Sequence, residues 1–204
     1  GHAFHFLAAV DNNPMSGTAV PMEFNEVASM AMELLHYDTL DEFYGEDERQ
    51  KAMHEHLRRI PNLLASVARG DAWQHWLYTN LEHSRDDRHD QWLALDERFG
   101  SGVDWSGLET DWRRKSWHGV LHFFVVPFYY IEYGIAQLGA LQLWQRSRDD
   151  RHEALAGYKR ALALGGSRPL PELFESAGLR FDFGPETMGS LVEDVSASLE
   201  ALPA

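Results

Sequence analysis

The chain has 204 residues, with 18 Lys+Arg against 32 Asp+Glu for a formal net charge of −14, and no cysteine. That length suffices for one well-filled core, and the acidic balance argues against nucleic acid or an anionic membrane as partner. The missing thiols exclude disulfides, cysteine nucleophiles and thiolate metal sites, so any metal must be held by His, Asp or Glu.

The chain opens Gly1-His2-Ala3-Phe4-His5, with no initiator Met and no basic, apolar leader, so a start inside a longer protein is expected. From there on strand signals are weak and apolar residues recur at helical spacing, which predicts an all-α protein. Phe24, Val27, Ala28, Ala31, Leu34 and Leu35 form one apolar stripe, and Glu26, Ser29, Met30 and Glu33 form the stripe beside it. A helix over about 22–36 thus carries two carboxylates on one line.

Thr39-Leu-Asp-Glu42 and Ser106-Gly-Leu-Glu109 have the Ser/Thr-x-x-Glu form that caps a helix start, and new helices are expected there. Further helices are predicted over about 46–60, 63–81, 88–98, 110–145, 150–164 and 186–201. Gly165-Gly166 ends one of them and Gly184-Pro185 opens the last. Loops are expected at 99–105 and 165–171, and no linker divides the chain, so one domain is expected over 1–204. The longest apolar stretch, Val120–Ile131, is broken by His122 and Pro127 and falls short of the roughly 18 residues of a membrane span. Ser-Arg-Asp-Asp-Arg-His occurs at 84–89 and again at 147–152, and reads as a solvated, polar-capped helix boundary.

The residues with chemical potential lie in three places. Two His four apart on a helix, with a Glu after the first, bind zinc through the His pair and use the Glu as base. The opening Gly1-His2-Ala3-Phe4-His5 has the form of the second half of His-Glu-x-Gly-His-Ala-Phe-His. Downstream comes Pro21-Met-Glu-Phe-Asn-Glu26-Val-Ala-Ser-Met-Ala-Met-Glu33-Leu-Leu, and further on His122-Phe-Phe-Val-Val-Pro-Phe-Tyr129-Tyr130-Ile-Glu-Tyr133. Read by themselves, a helical Glu is first a solvated one, and the second block is first an aromatic core helix.

Together these segments resemble the oligoendopeptidase F and thimet oligopeptidase family of zinc metallopeptidases, and the resemblance runs over nearly the whole chain. Ile60-Pro61, Ala72-Trp-Gln-His-Trp-Leu-Tyr78, Leu164-Gly-Gly-Ser-Arg-Pro-Leu-Pro-Glu-Leu-Phe174 and Ala177-Gly-Leu-Arg-Phe-Asp-Phe183 extend it. The resemblance implies a zinc-dependent endopeptidase that cleaves oligopeptides in the cytoplasm, here as the C-terminal part of the catalytic domain. It makes His2 and Glu26 metal ligands, with Glu33 and His5 supporting them from behind. It assigns His122, Tyr129 and Tyr133, with Tyr130 as the neighbouring register, to the substrate side, where ring N–H and hydroxyl groups would stabilise the developing oxyanion. Glu26 and Glu33 are expected to face a cleft lined by a helix over 122–133. The first zinc His, the general-base Glu and the N-terminal lobe would precede Gly1, so the zinc site is incomplete in this chain and the chain alone is expected to be inactive. Homo-oligomerisation through apolar surface that normally meets the missing lobe is also expected. A non-catalytic helical remnant or split-gene partner of such a peptidase is the alternative. A carboxylate-bridged dimetal bundle built on Glu33-x-x-His36 lacks the second Glu-x-x-His it needs.

Overall fold

Apolar residues at helical spacing run through most of the sequence, and the computed structural model of the chain, which describes residues 1–11, 20–100, 102–108 and 110–202, is built of helices with no strand among them. In chain order these are α1 (His2–Ala8), α2 (Met22–Leu35), α3 (Glu46–Thr79), α4 (Arg85–Phe99), α5 (Thr110–Lys115), α6 (His122–Val125), α7 (Ile131–Asp149), α8 (Arg151–Leu164), α9 (Leu170–Ser176) and α10 (Pro185–Glu200). Two 3₁₀ segments, His36–Glu42 and Ser116–Gly119, follow α2 and α5. No helix among the described residues is long and apolar enough to cross a membrane. The all-α expectation holds, and α2, α4, α8 and α10 lie close to their predicted spans.

The departures have local causes. The two helices expected over 46–60 and 63–81 are one, α3, which continues through Pro61. Pro61 has no N–H to give the carbonyl four residues back. Leu57, Ile60, Val67 and Trp73 keep the buried face in phase on both sides of it, so the helix continues with one bond missing. The long helix expected over 110–145 is instead α5, a 3₁₀ turn, α6 and α7. Pro127 forces its predecessor out of the helical region, and Val126 has φ −142 and ψ 74. Phe128 then takes the left-handed φ of 63 that turns the chain into α7. The 122–133 segment is therefore a broken helix. Thr39 starts no α-helix, because its hydroxyl donates back to the His36 carbonyl at 3.1 Å and closes the 3₁₀ segment. Glu109 of the second capping pair lies outside the described residues, and Ser106 N–H donates instead to Asp104 Oδ1 at 2.8 Å.

The repeat does mark helix boundaries, with a different cap in each copy. Ser84 and Asp87 form a reciprocal capping box at the start of α4. In the second copy Ser147 lies within α7, and the Asp150 side chain accepts the Glu153 N–H to cap α8.

The described residues form two compact units, 1–60 with 135–204, and 61–134. In the first, the predicted apolar stripe of α2 is buried throughout. Phe24 meets Phe174 of α9 edge-on at 5.7 Å, and Tyr158 of α8 donates to the Ala28 carbonyl at 2.7 Å. Those contacts fix the rotation of α2 about its own axis, and with it the direction of Glu26. In the second unit the core is Trp73, Trp92, Leu95, Trp117 and Phe123. Asp96 lies beside this cluster and accepts from Arg69 and from Arg113 Nε, while Arg69 also lies over the Trp92 ring at 4.6 Å.

Candidate metal and substrate residues

Gly1 sits against the backbone of α2. A Cβ there would lie 2.3 Å from Ser29 Cα and 2.5 Å from the Ala28 carbonyl oxygen. Only glycine permits this approach, and it delivers His2 to α2. His2 Nδ1 is 3.0 Å from the Asn25 carbonyl oxygen. A carbonyl only accepts, so Nδ1 carries a proton, which leaves Nε2 as the ring nitrogen available to a metal. That nitrogen lies 3.6 Å from Glu26 Oε2, with the His2 side chain 45% exposed and the Glu26 side chain only 9% exposed. Ser29 Oγ lies 3.0 Å from the same carboxylate oxygen, one turn along the helix, where it can donate a hydrogen bond and orient it.

This pair fits zinc as two of its ligands. Zinc bond lengths of about 2.1 Å and a tetrahedral angle place adjacent donors about 3.4 Å apart, close to the observed 3.6 Å. The backbone carbonyl on the remote His nitrogen is the usual outer partner of a metal-ligating imidazole. Among the described residues no group of three or more His, Asp or Glu side chains is placed to hold a metal ion.

His5 is fully buried, with Nδ1 3.3 Å from Asn25 Oδ1. Asn25 therefore meets both histidines, His2 through its main chain and His5 through its side chain. Burial pushes the His5 pKa below the ordinary imidazole value of 6.5, against the hydrogen bond to Asn25 that raises it, and the His2 charge lowers it further. His89 in the second unit is lowered for the same first reason. Its Nδ1 accepts the Trp117 indole N–H at 3.2 Å, which a proton there would abolish. Both rings are thus neutral when folded, and the unfolded chain binds more protons. Stability from these groups is full above about pH 6.5 and is lost as pH falls through their lowered folded values, at up to about 1.4 kcal/mol per pH unit for each. Urea unfolding between pH 7.5 and 5.5 should show this decline, and His5→Phe should flatten it; a pH-independent midpoint in the parent chain would contradict the assignment.

Glu33 lies two turns beyond Glu26, and its Oε2 is 3.3 Å from His56 Nε2. His56 Nδ1 is in turn 2.7 Å from the Tyr37 hydroxyl. Burial, aided by the Glu33 charge, pushes the Tyr37 pKa up, so it remains a phenol. The sequence does not point to His56, which sits 23 residues from Glu33 on another helix. His36, of the Glu33-x-x-His36 spacing, is exposed and turns Nδ1 to the Met32 carbonyl in the last turn of α2 at 2.6 Å.

In the second unit the four aromatic candidates come together. The rings of Tyr129, Tyr130 and Tyr133 have centroids 5.7, 5.6 and 5.5 Å from the His122 ring, and His122 Nε2 is 3.1 Å from the Tyr133 hydroxyl. The broken helix makes this possible, since the turn at Phe128 carries Tyr129 and Tyr130 back onto His122. Each of the four is half-buried.

The fold is shared with solved peptidases. A crystal structure of a protein assigned as oligoendopeptidase F superposes with a TM-score of 0.88 at 29% identity, over 98% of this chain and 35% of that one. PZ peptidase A with an inhibitor superposes at 0.87 and 27% identity over the same shares. A protein assigned as oligoendopeptidase F from Bacillus anthracis str. Ames superposes at 0.76 and 27%, over 98% of this chain and 33% of that one. The chain thus has the fold of the matching third of these solved structures. The chain belongs to Peptidase family M3, which it matches over residues 1–188. It spans about a third of the length of the solved structures it matches. It matches no curated protein sequence.

Proposed function

We propose that this chain is the substrate-facing part of a zinc metalloendopeptidase that hydrolyses oligopeptides, and that His2 and Glu26 are two of its metal ligands. The observation that carries this reading is the His2–Glu26 pair, a correctly tautomerised imidazole 3.6 Å from a buried carboxylate, in a chain of Peptidase family M3. Zinc, when bound, polarises the scissile carbonyl and lowers the pKa of water to about 7. The remaining ligand and the general base lie outside the described residues. His2 and Glu26 hold their donors in place through Asn25 and Ser29. Glu33 and His5 support α2 and Asn25 from behind. His122, with Tyr129, Tyr130 and Tyr133, supplies ring N–H and hydroxyl donors to the carbonyl oxygen as it gains charge. Exposed Leu121, Phe124 and Val125 support the presence of further protein over this part of the second unit, in keeping with relatives about three times as long.

The test is a fluorogenic oligopeptide assay with metal analysis, on the 204-residue chain and on a chain extended upstream to the length of its relatives. The short chain should show no chelator-sensitive turnover. The extended one should bind zinc and cleave, and His122→Phe should lower its kcat. Robust chelator-sensitive turnover by the short chain would sink the incomplete-site reading. An extended chain that neither binds zinc nor cleaves would favour the non-catalytic helical partner.

A further inference from the structure

The first unit contains a concave site built from α7, the 178–180 segment and α10. It encloses a volume of about 320 Å³, lined by Gln142, Gln145, Arg146, Arg180, Thr187 and Ser190 with Gly178 and Leu191. The lining includes two arginines and no acid, in a chain whose net charge is −14. Other arginines of this unit are matched to carboxylates: Arg148 to Asp194, Arg151 to Asp38, Arg160 to Glu153. Arg146 enters no such pair among the described residues, and its buried Nε, like that of Arg49, has no hydrogen-bond partner among them.

The site is also held in place. The Arg146 guanidinium lies flat against Gly178, where a Cβ would meet its atoms at 2.7, 2.8 and 3.2 Å, and Gly178 has φ 75. The left-handed φ favours glycine there, and a Cβ would push the guanidinium aside. Gln142 clamps the main chain of Arg180 at two points, donating to its carbonyl at 3.0 Å and accepting from its N–H at 2.8 Å. The nearby Asp182 carboxylate accepts from the Thr187 hydroxyl and from the Gly184 N–H at 3.0 Å, and its charge also acts on Arg180, which it leaves without a hydrogen-bonded ion pair.

We propose that this cavity binds a small molecule through a phosphate or carboxylate group, held between Arg146 and Arg180 with Gln145 and Ser190 as further donors. Guanidinium groups match both oxyanions by paired N–H bonds. The volume is that of a small-molecule site, too small for a macromolecular surface. This site is separate from the His2–Glu26 pair and does not depend on the peptidase reading.

Isothermal titration of the 204-residue chain with inorganic phosphate and with malonate, in EDTA and at constant ionic strength, tests it and separates the two sources. At least one probe should bind saturably with one-to-one stoichiometry. Arg146→Gln and Arg180→Gln should each raise its Kd at least tenfold, while Glu26→Gln and the distant Arg168→Gln leave it unchanged. Should Arg146→Gln fail to fold, the exposed Arg180→Gln decides alone. No saturable binding by either probe, or affinity unchanged in Arg180→Gln, overturns the proposal.

Discussion

Asp96→Ala is expected to destabilise the chain by about 3–5 kcal/mol, the cost of breaking a buried ion pair by removing one partner. The Asp96 side chain is 10% exposed and takes hydrogen bonds from Arg69 and from Arg113 Nε, the latter at 2.5 Å. Arg69 and Arg113 are 23% and 16% exposed, so the substitution would strand two largely desolvated cations beside the tryptophan core. The Trp92 and Trp105 faces under their guanidinium groups offer only about 0.5–2 kcal/mol in compensation. Asp90→Ala is the contrast. It also removes an arginine's partner, but Asp90 is 65% exposed and its pair with Arg114 should contribute less than about 1 kcal/mol. Urea unfolding of both variants checks the pair, and an Asp96→Ala midpoint as close to the parent as that of Asp90→Ala would contradict the buried-triad account.

That triad was not legible in the sequence, and the reason is general to this fold. Asp96 meets partners 27 and 17 residues away on other helices. Periodicity reports which face of one helix is apolar, but carries no information about which charged residue of another helix will reach it. By the same logic α2 was readable, because its stripe of Phe24, Val27, Ala28, Ala31, Leu34 and Leu35 needs only its own spacing. Its contact with α1 was legible only through family resemblance. The break at Val126–Phe128 was signalled by Pro127, yet the aromatic run around it favoured a continuous helix. Steric exclusion before proline outweighs weak propensity, and Val126 leaves the helical region. His56 and Asn25 were missed as partners of Glu33 and His2 for different reasons. His56 is remote in sequence. Asn25 acts on His2 through its main-chain carbonyl, which every residue type carries.

Glu26→Gln in the peptidase domain extended to the length of its relatives is expected to weaken zinc binding by roughly 10²–10³-fold, with peptide hydrolysis falling in step. Structural zinc sites gain about 10–16 kcal/mol from four ligands, or about 2.5–4 kcal/mol for each, and every 1.4 kcal/mol is tenfold. Glutamine keeps the shape of the side chain and an oxygen that can still accept from Ser29, so α2 retains its packing and the change isolates the charge at the metal. Ser29→Ala supplies the graded comparison. It leaves the carboxylate in place and removes only the hydroxyl 3.0 Å from its oxygen, and loss of such an outer partner weakens a metal site by about 10–100-fold. Competition for zinc against a chromophoric chelator should therefore rank parent, Ser29→Ala and Glu26→Gln in that order of falling affinity. A domain whose zinc affinity is indifferent to Glu26→Gln would remove Glu26 from the ligand set. Were Ser29→Ala to match Glu26→Gln instead, the carboxylate would bind the metal only while the hydroxyl 3.0 Å away holds it, and the graded order would be overturned.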